Sequence, residues 1–111
     1  MTNLNRSDDN SLLVALRHPM RRDILREMAA AEAISPREVA SALRQPLSNV
    51  SYHVRVLADC SAIALVTTKP VRGSMQHFYC VSIEAPWALE VLGLKGKADP
   101  HAGESSTEPG T

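Results

Sequence analysis

The sequence predicts a mainly α domain carrying one small β-hairpin, and three observations predict it. Apolar residues recur at helical spacing through four successive stretches, the last ending near Cys60. Two short runs rich in Val, Ile, Thr, Phe and Tyr follow, separated by a segment that holds Pro70 and Gly73. Behind them a stretch opened by Pro86 returns to helical periodicity. The predicted order is therefore α-α-α-α-β-β-α.

The first helix is SLLVALRH, with Leu12, Ala15 and Leu16 on one side. It stops at His18 because Pro19 disfavours the helical conformation in the residue before it. Pro19 in turn suits the opening turn of a second helix, MRRDILREMAAA, whose buried stripe is Met20, Ile24, Leu25 and Met28 and whose other face is charged. In ISPREVA, Ser35, Pro36 and Glu38 supply an N-cap, a proline at the first helical position and the glutamate of a capping box. The third helix is short, with Val39, Ala40 and Leu43 on its apolar side, and Arg44, Gln45 and Pro46 turn the chain into a fourth. Two short helices joined by such a turn outline a helix-turn-helix, with the second as the reading helix.

That fourth stretch, PLSNVSYHVRVLADC, has two sides. Val50, Val54 and Leu57 form a burying stripe, with Leu47 and Ala58 beside it, and Ser48, Ser51, Tyr52 and Arg55 lie opposite. An ordinary solvated face carries Glu and Lys, whereas hydroxyls, a phenol and a guanidinium suit contacts to DNA. The strands are AIALVTT and MQHFYCVS, and KPVRGS between them makes a hairpin whose tip carries Lys69 and Arg72. A basic-tipped hairpin behind a helix-turn-helix is a wing. The last helix starts at Pro86, carries Trp87, Val91 and Leu94 at i, i+4 and i+7, and has Gly93 near its end. The domain spans residues 11–94, between a flexible start at 1–10 and a polar tail at 95–111, rich in Gly, Pro and Ser, that reads as disordered.

Hydrophobic residues make up 44% of the 111, ordinary for a soluble chain, and no apolar run approaches the roughly 18 residues of a membrane span. MTNLNRSDDN has no apolar signal core, so the chain reads as cytoplasmic and Cys60 and Cys80 as reduced thiols. Net charge is zero, but residues 15–72 carry nine basic and five acidic side chains, while 1–14 contribute −1 and 73–111 contribute −3. The middle of the chain can thus offer a positive face to phosphates. No Gly-rich phosphate loop, nucleophile motif or cluster of metal ligands marks an enzyme.

The segments ALRHPMRRDIL, SPREVASAL, SNVSYHVRVL and RGSMQHFY together resemble the ArsR-type winged-helix transcriptional regulators, over Leu12 to Leu94. The resemblance implies a winged helix-turn-helix and a homodimeric repressor of a two-fold symmetric, inverted-repeat site in double-stranded DNA. By position it puts Ser48, Asn49, Ser51, Tyr52 and Arg55 toward the major groove, and Lys69 and Arg72 on the backbone or in the minor groove. Family dimers pair through their first and last helices. This implies a dimer interface of Leu12, Leu13 and Leu16 with Trp87, Val91 and Leu94.

The sequence departs from the family at its metal sites. EVASALRQ in the third helix has no cysteine pair, and APWALEVLGL in the last has neither His nor Asp at ligand spacing, so neither a metal nor another cofactor is implied. An effector goes unnamed. His53 reads as a packing and hydrogen-bonding residue, the cysteines as small buried hydrophobes, and Trp87 as a core or interface anchor. Arg21 and Arg22 read equally as phosphate contacts or as side chains solvated or paired at i, i+4 on a helix that also carries Asp23, Arg26 and Glu27. Zero net charge keeps a second function in view, a winged-helix module that binds another protein.

Overall fold

The computed structural model describes residues 8–94. The flexible start and disordered tail fall mostly on residues outside this range. Residues 8–10 are described: Asp8 caps the first helix, and Asp9 and Asn10 open it.

The elements follow the predicted order: α1 (Asp9–Arg17), α2 (Pro19–Ala29), α3 (Pro36–Leu43), α4 (Leu47–Asp59), β1 (Ile63–Val71), β2 (Ser74–Val81) and α5 (Pro86–Leu92). Each helix start has a local cause. Asp8 caps α1 by accepting from the Ser11 amide at 2.8 Å. His18 caps α2 through Nδ1, which accepts from the Met20 amide at 3.0 Å, ahead of Pro19. Ser35 and Glu38 close the predicted capping box, with bonds of 3.2 and 3.0 Å. Arg44, in the left-handed conformation at φ 56°, ends α3 and directs the chain through Pro46 into α4.

Helix α2 lies at the centre. Its Ile24, Leu25 and Met28 are fully buried, and the core around them takes Leu12, Ala15 and Leu16 from α1, Val39 from α3, Val50, Val54 and Leu57 from α4, and Ala88 and Leu92 from α5. Each large aliphatic side chain buried this way contributes about 1.5–3 kcal/mol against exposure.

Arginines join the helices. The last turn of α1 leaves its carbonyls without intrahelical partners, and two consecutive side chains of α2 take them. Arg21 donates to Val14 O at 3.0 Å and Ala15 O at 3.3 Å. Arg22 donates to Leu16 O at 2.6 Å and Arg17 O at 3.4 Å. One turn later Arg26 donates to Leu92 O at 3.0 Å, fastening the end of α5, and pairs with Asp23 at 3.2 Å. The charged face of α2 thus ties down two other helices. The phosphate role left open for Arg21 and Arg22 gives way to these bonds.

The strands pair antiparallel, Ile63 with Val81 through Val71 with Ser74, with a bulge between Leu65 and Thr67. Arg72 and Gly73 alone form the loop, at φ 49° and 82°, the pair of positive values that a type I′ turn demands. This corrects the expected hairpin in two places. Pro70 does not break β1 but sits within it opposite Met75. In a two-residue hairpin the pair next to the closing one is not hydrogen-bonded, so the missing N–H of Pro70 costs the ladder nothing. Lys69, expected at the tip, also lies within β1, opposite Gln76, with its ammonium 5.2 Å from the centre of the Phe78 ring. The base of the wing is held by a backbone bridge, Ile34 N to Tyr79 O and Tyr79 N to Ile34 O, both 3.0 Å.

Helix α5 differs from its predicted stripe. Gly93, at φ 78°, ends it after seven residues, so Leu94 lies beyond the helix. Ala88 and Leu92 face the core, while Val91 is 51% exposed and Trp87 and Leu94 are half-buried. Trp87 Nε1 donates to Asp9 Oδ1 at 3.2 Å, joining α5 to the start of α1. Two of the residues expected at a dimer interface pack inward. Leu12 and Leu16 are 2% and 6% exposed and belong to the core of this chain. Leu13, at 53%, and Val14, at 38%, are the exposed large hydrophobic residues of α1.

Candidate nucleic-acid interface

Helix α4 buries Val50, His53, Val54 and Leu57, and its outer side remains open. Ser48, Asn49, Ser51, Tyr52 and Arg55, the reading residues expected from the sequence, are all exposed, Tyr52 at 61%. At about 100° per residue Ser48 and Tyr52 stand at the outward pole, Asn49 on one flank and Ser51 on the other, with Arg55 between Ser51 and the pole. Leu47 and Ala58, expected beside the burying stripe, are exposed on the Ser51 flank. Both wing cations, Lys69 and Arg72, are exposed too.

A cleft of about 360 Å³ separates the reading helix from the wing. One wall is the Ser51 flank of α4, including Leu47, Val54, Arg55 and Ala58. The opposite wall is β2 from Met75 to His77 together with Tyr79, and Pro36 and Arg37 at the start of α3 close the end. The Ile34–Tyr79 bridge sets the spacing of the walls by tying β2 to the chain entering α3. Among the described residues Arg37, Arg55 and Arg72 have no hydrogen-bond or ion-pair partner, unlike the committed arginines of α2. Sequence reasoning missed Arg37 and the β2 wall. A cation directly after a helix-opening proline was the available signal for the first.

Beneath Tyr52 the helix rests on a histidine pair. Arg21 Nη1 lies 3.1 Å from His53 Nδ1, the His18 and His53 rings are 4.4 Å apart, and Tyr52 meets His53 edge-on at 5.1 Å. Guanidinium only donates, so His53 Nδ1 accepts and its ring hydrogen sits on Nε2. That matches the packing and hydrogen-bonding role read from the sequence. Burial chiefly, then His18 and the Arg21 charge, hold His53 below its ordinary value of 6.5.

This sets the sign of a pH effect. An unfolded His53 takes a proton below about 6.5 while the folded one does not, so its contribution to stability is intact above that value and falls as pH drops through it. In His53→Asn the amide oxygen stands two bonds from Cβ, where Nδ1 does, and accepts the same Arg21 bond without titrating. Urea melts at about pH 7.5 and about pH 5.5 should show the variant losing less stability than the parent across this step. Equal losses would remove His53 as the cause.

Among the described residues no three His, Cys, Asp or Glu side chains converge to hold a metal ion. Cys60 is buried, and burial chiefly pushes its thiol up, away from the reactive thiolate. Cys80 is half-buried on β2, opposite Ala64. No described helix is long and apolar enough to cross a membrane.

Residues 16–66, a little under half of the chain, match the helix-turn-helix domain family. No curated protein matches the chain in sequence. The fold is similar to that of the transcriptional repressor PagR of Bacillus anthracis, at 22% identity and a TM-score of 0.57 over 77% of this chain and 88% of that one. It is similar to NolR from Sinorhizobium fredii at 21% identity and a TM-score of 0.55, over 76% of each chain. The antimony-specific transcriptional repressor AntR gives 18% identity and a TM-score of 0.58, over 98% of this chain and 88% of that one. At these identities the likeness shows a shared winged-helix fold.

Proposed function

We propose that the protein is a cytoplasmic transcriptional regulator that binds double-stranded DNA sequence-specifically, as a homodimeric repressor of the ArsR type without that family's usual metal sites. One observation carries this reading: the Ser51 flank of α4 and the β2 strand of the wing line one cleft, and its two arginines, Arg37 and Arg55, have no partner among the described residues. Ser48, Asn49, Ser51, Tyr52 and Arg55 form the helix contacts and Lys69 and Arg72 the wing contacts. Lys69 acts from the side of the strand and Arg72 from its tip. The helix-turn-helix match and the likeness to repressors support the same reading.

In the proposed dimer two copies of α4 lie about 34 Å apart on one face of the duplex, which calls for an inverted repeat. Fluorescence anisotropy against the DNA upstream of its own gene and a shuffled control, across a range of salt, tests this. Preferential binding that survives moderate salt is expected. Equal, steeply salt-sensitive binding to both would reduce the protein to a basic surface, and no binding would favour the protein-interaction module that the zero net charge allows. Arg55→Ala is expected to weaken binding about tenfold, the cost of one charge-assisted hydrogen bond, and to leave the melt unchanged because Arg55 lies outside the core. A large loss of stability in this variant would mean that the reading face has been misplaced.

A further inference from the structure

We propose that the cleft between α4 and the wing seats one sugar-phosphate strand of the DNA, held by Arg37 and Arg55, and that Arg55 is therefore a backbone contact and not a base reader. The proposal rests on the DNA-binding reading above and divides the labour within it.

The geometry comes from the duplex as much as from the protein. The major groove, about 12 Å wide, admits a helix, and the minor groove beside it is about 6 Å wide. A single sugar-phosphate strand divides them. If α4 enters the major groove and the wing tip reaches the adjoining minor groove, the dividing strand must cross the space between α4 and β2. That space is the cleft, whose walls are the Ser51 flank of α4 and the part of β2 nearest the hairpin loop.

Its chemistry fits such an occupant. Arg37 closes one end and Arg55 lines the α4 wall, and neither has a carboxylate partner among the described residues. Ser51, Gln76 and His77 add groups able to donate to phosphate oxygens. Between them Leu47, Ala58 and Met75 present carbon to the apolar faces of deoxyribose. Acidic side chains are missing from the lining, as the seat of a polyanion requires. Ser48 and Tyr52 at the outward pole and Asn49 on the flank away from the cleft are left to meet base edges.

Phosphate contacts and base contacts leave different signatures, which makes the division testable. Each phosphate contact released lowers the magnitude of the slope of log K against log salt by about 0.9 and weakens all sequences alike. A lost base contact instead relaxes preference at one position and leaves the slope in place. The experiment uses the full chain, a duplex enriched by the protein from random-sequence DNA, its single-base variants and an unrelated duplex, in anisotropy titrations across salt. Arg37→Ala and Arg55→Ala should each reduce the slope by about one unit and weaken every duplex by one common factor. Arg37→Lys should keep the slope, and Asn49→Ala should change the base preference at constant slope. Melts of each variant confirm the fold. The proposal is overturned if Arg37→Ala leaves affinity and slope untouched, or if Arg55→Ala erases preference at a single base pair. Failure of the parent protein to bind any duplex is a separate outcome, which overturns the DNA-binding reading itself.

Discussion

Replacing Arg21 with methionine is expected to destabilise the protein by about 3 kcal/mol or more, the largest effect of any surface-type residue in the chain. The side chain is only 8% exposed, and its guanidinium meets three acceptors: Val14 O, Ala15 O and His53 Nδ1. No carboxylate neutralises it among the described residues. Its charge is balanced instead by the negative end of the α1 dipole, roughly half an elementary charge where the unbonded carbonyls cluster. Methionine fills similar volume, so the loss isolates the polar contacts from a packing defect. Two buried acceptors, Ala15 O and His53 Nδ1, and the part-buried Val14 O lose their donor at once, and each orphaned buried group costs about 1–3 kcal/mol. Arg22→Met is the internal control. Its side chain is more accessible and the carbonyls it leaves can turn to water, so about 1 kcal/mol is expected. Urea denaturation of both variants gives the comparison, and a loss below that of Arg22→Met would show Arg21 to be dispensable.

The same arginine marks where the sequence stopped being legible. Capping boxes, proline starts and the stripes of α2 and α4 could be read because their partners lie within a turn of one another, as with Ser35 and Glu38. The arginines of MRRDILRE read as phosphate contacts or as solvated groups because i, i+4 reasoning looks along one helix. The acceptors of Arg21 and Arg22 lie across the bend at His18 and Pro19, on the helix before. A helix cut off by proline leaves carbonyls that need donors, and basic residues a few positions later are the natural source. Pro70 misled for a similar reason. Its effect on a strand depends on which pairs are hydrogen-bonded, and that phase is set only once the turn is known to be Arg72–Gly73.

The candidate site was legible in half. Exposure of Ser48, Asn49, Ser51, Tyr52 and Arg55 followed from the opposite stripe of the same helix, which is local information. The cleft was not, because it exists only where α3, α4 and β2 meet and is spaced by the bridge from Ile34 to Tyr79. The packing of Leu12 and Leu16 into this chain's own core was not legible either, because periodicity shows that a stripe is buried without showing against what. In a core this small the first helix spends its best apolar face on its own chain.

What remains outside that core leads to the second large effect. The double substitution Leu13→Asp with Val91→Asp is expected to turn the proposed dimer into a monomer and to weaken binding to an inverted repeat by a hundredfold or more, on the order of the gain from linking two sites. Leu13 and Val91 are 53% and 51% exposed, on helices that the bond from Trp87 to Asp9 holds together. With Val14 they give an apolar surface on α1 and α5, the helices by which the resembled family pairs. A two-fold interface meets itself, so each substitution acts twice and four carboxylates are forced into one apolar contact. The protomer core should be spared because Leu12, Leu16, Ala88 and Leu92 point the other way. Analytical ultracentrifugation should show one chain per particle, with binding to a single half-site unchanged and the gain from a second half-site gone. A variant that still sediments as a dimer would place the interface elsewhere, and the exposed Leu65, Val66 and Met75 of the wing would be the next surface to substitute.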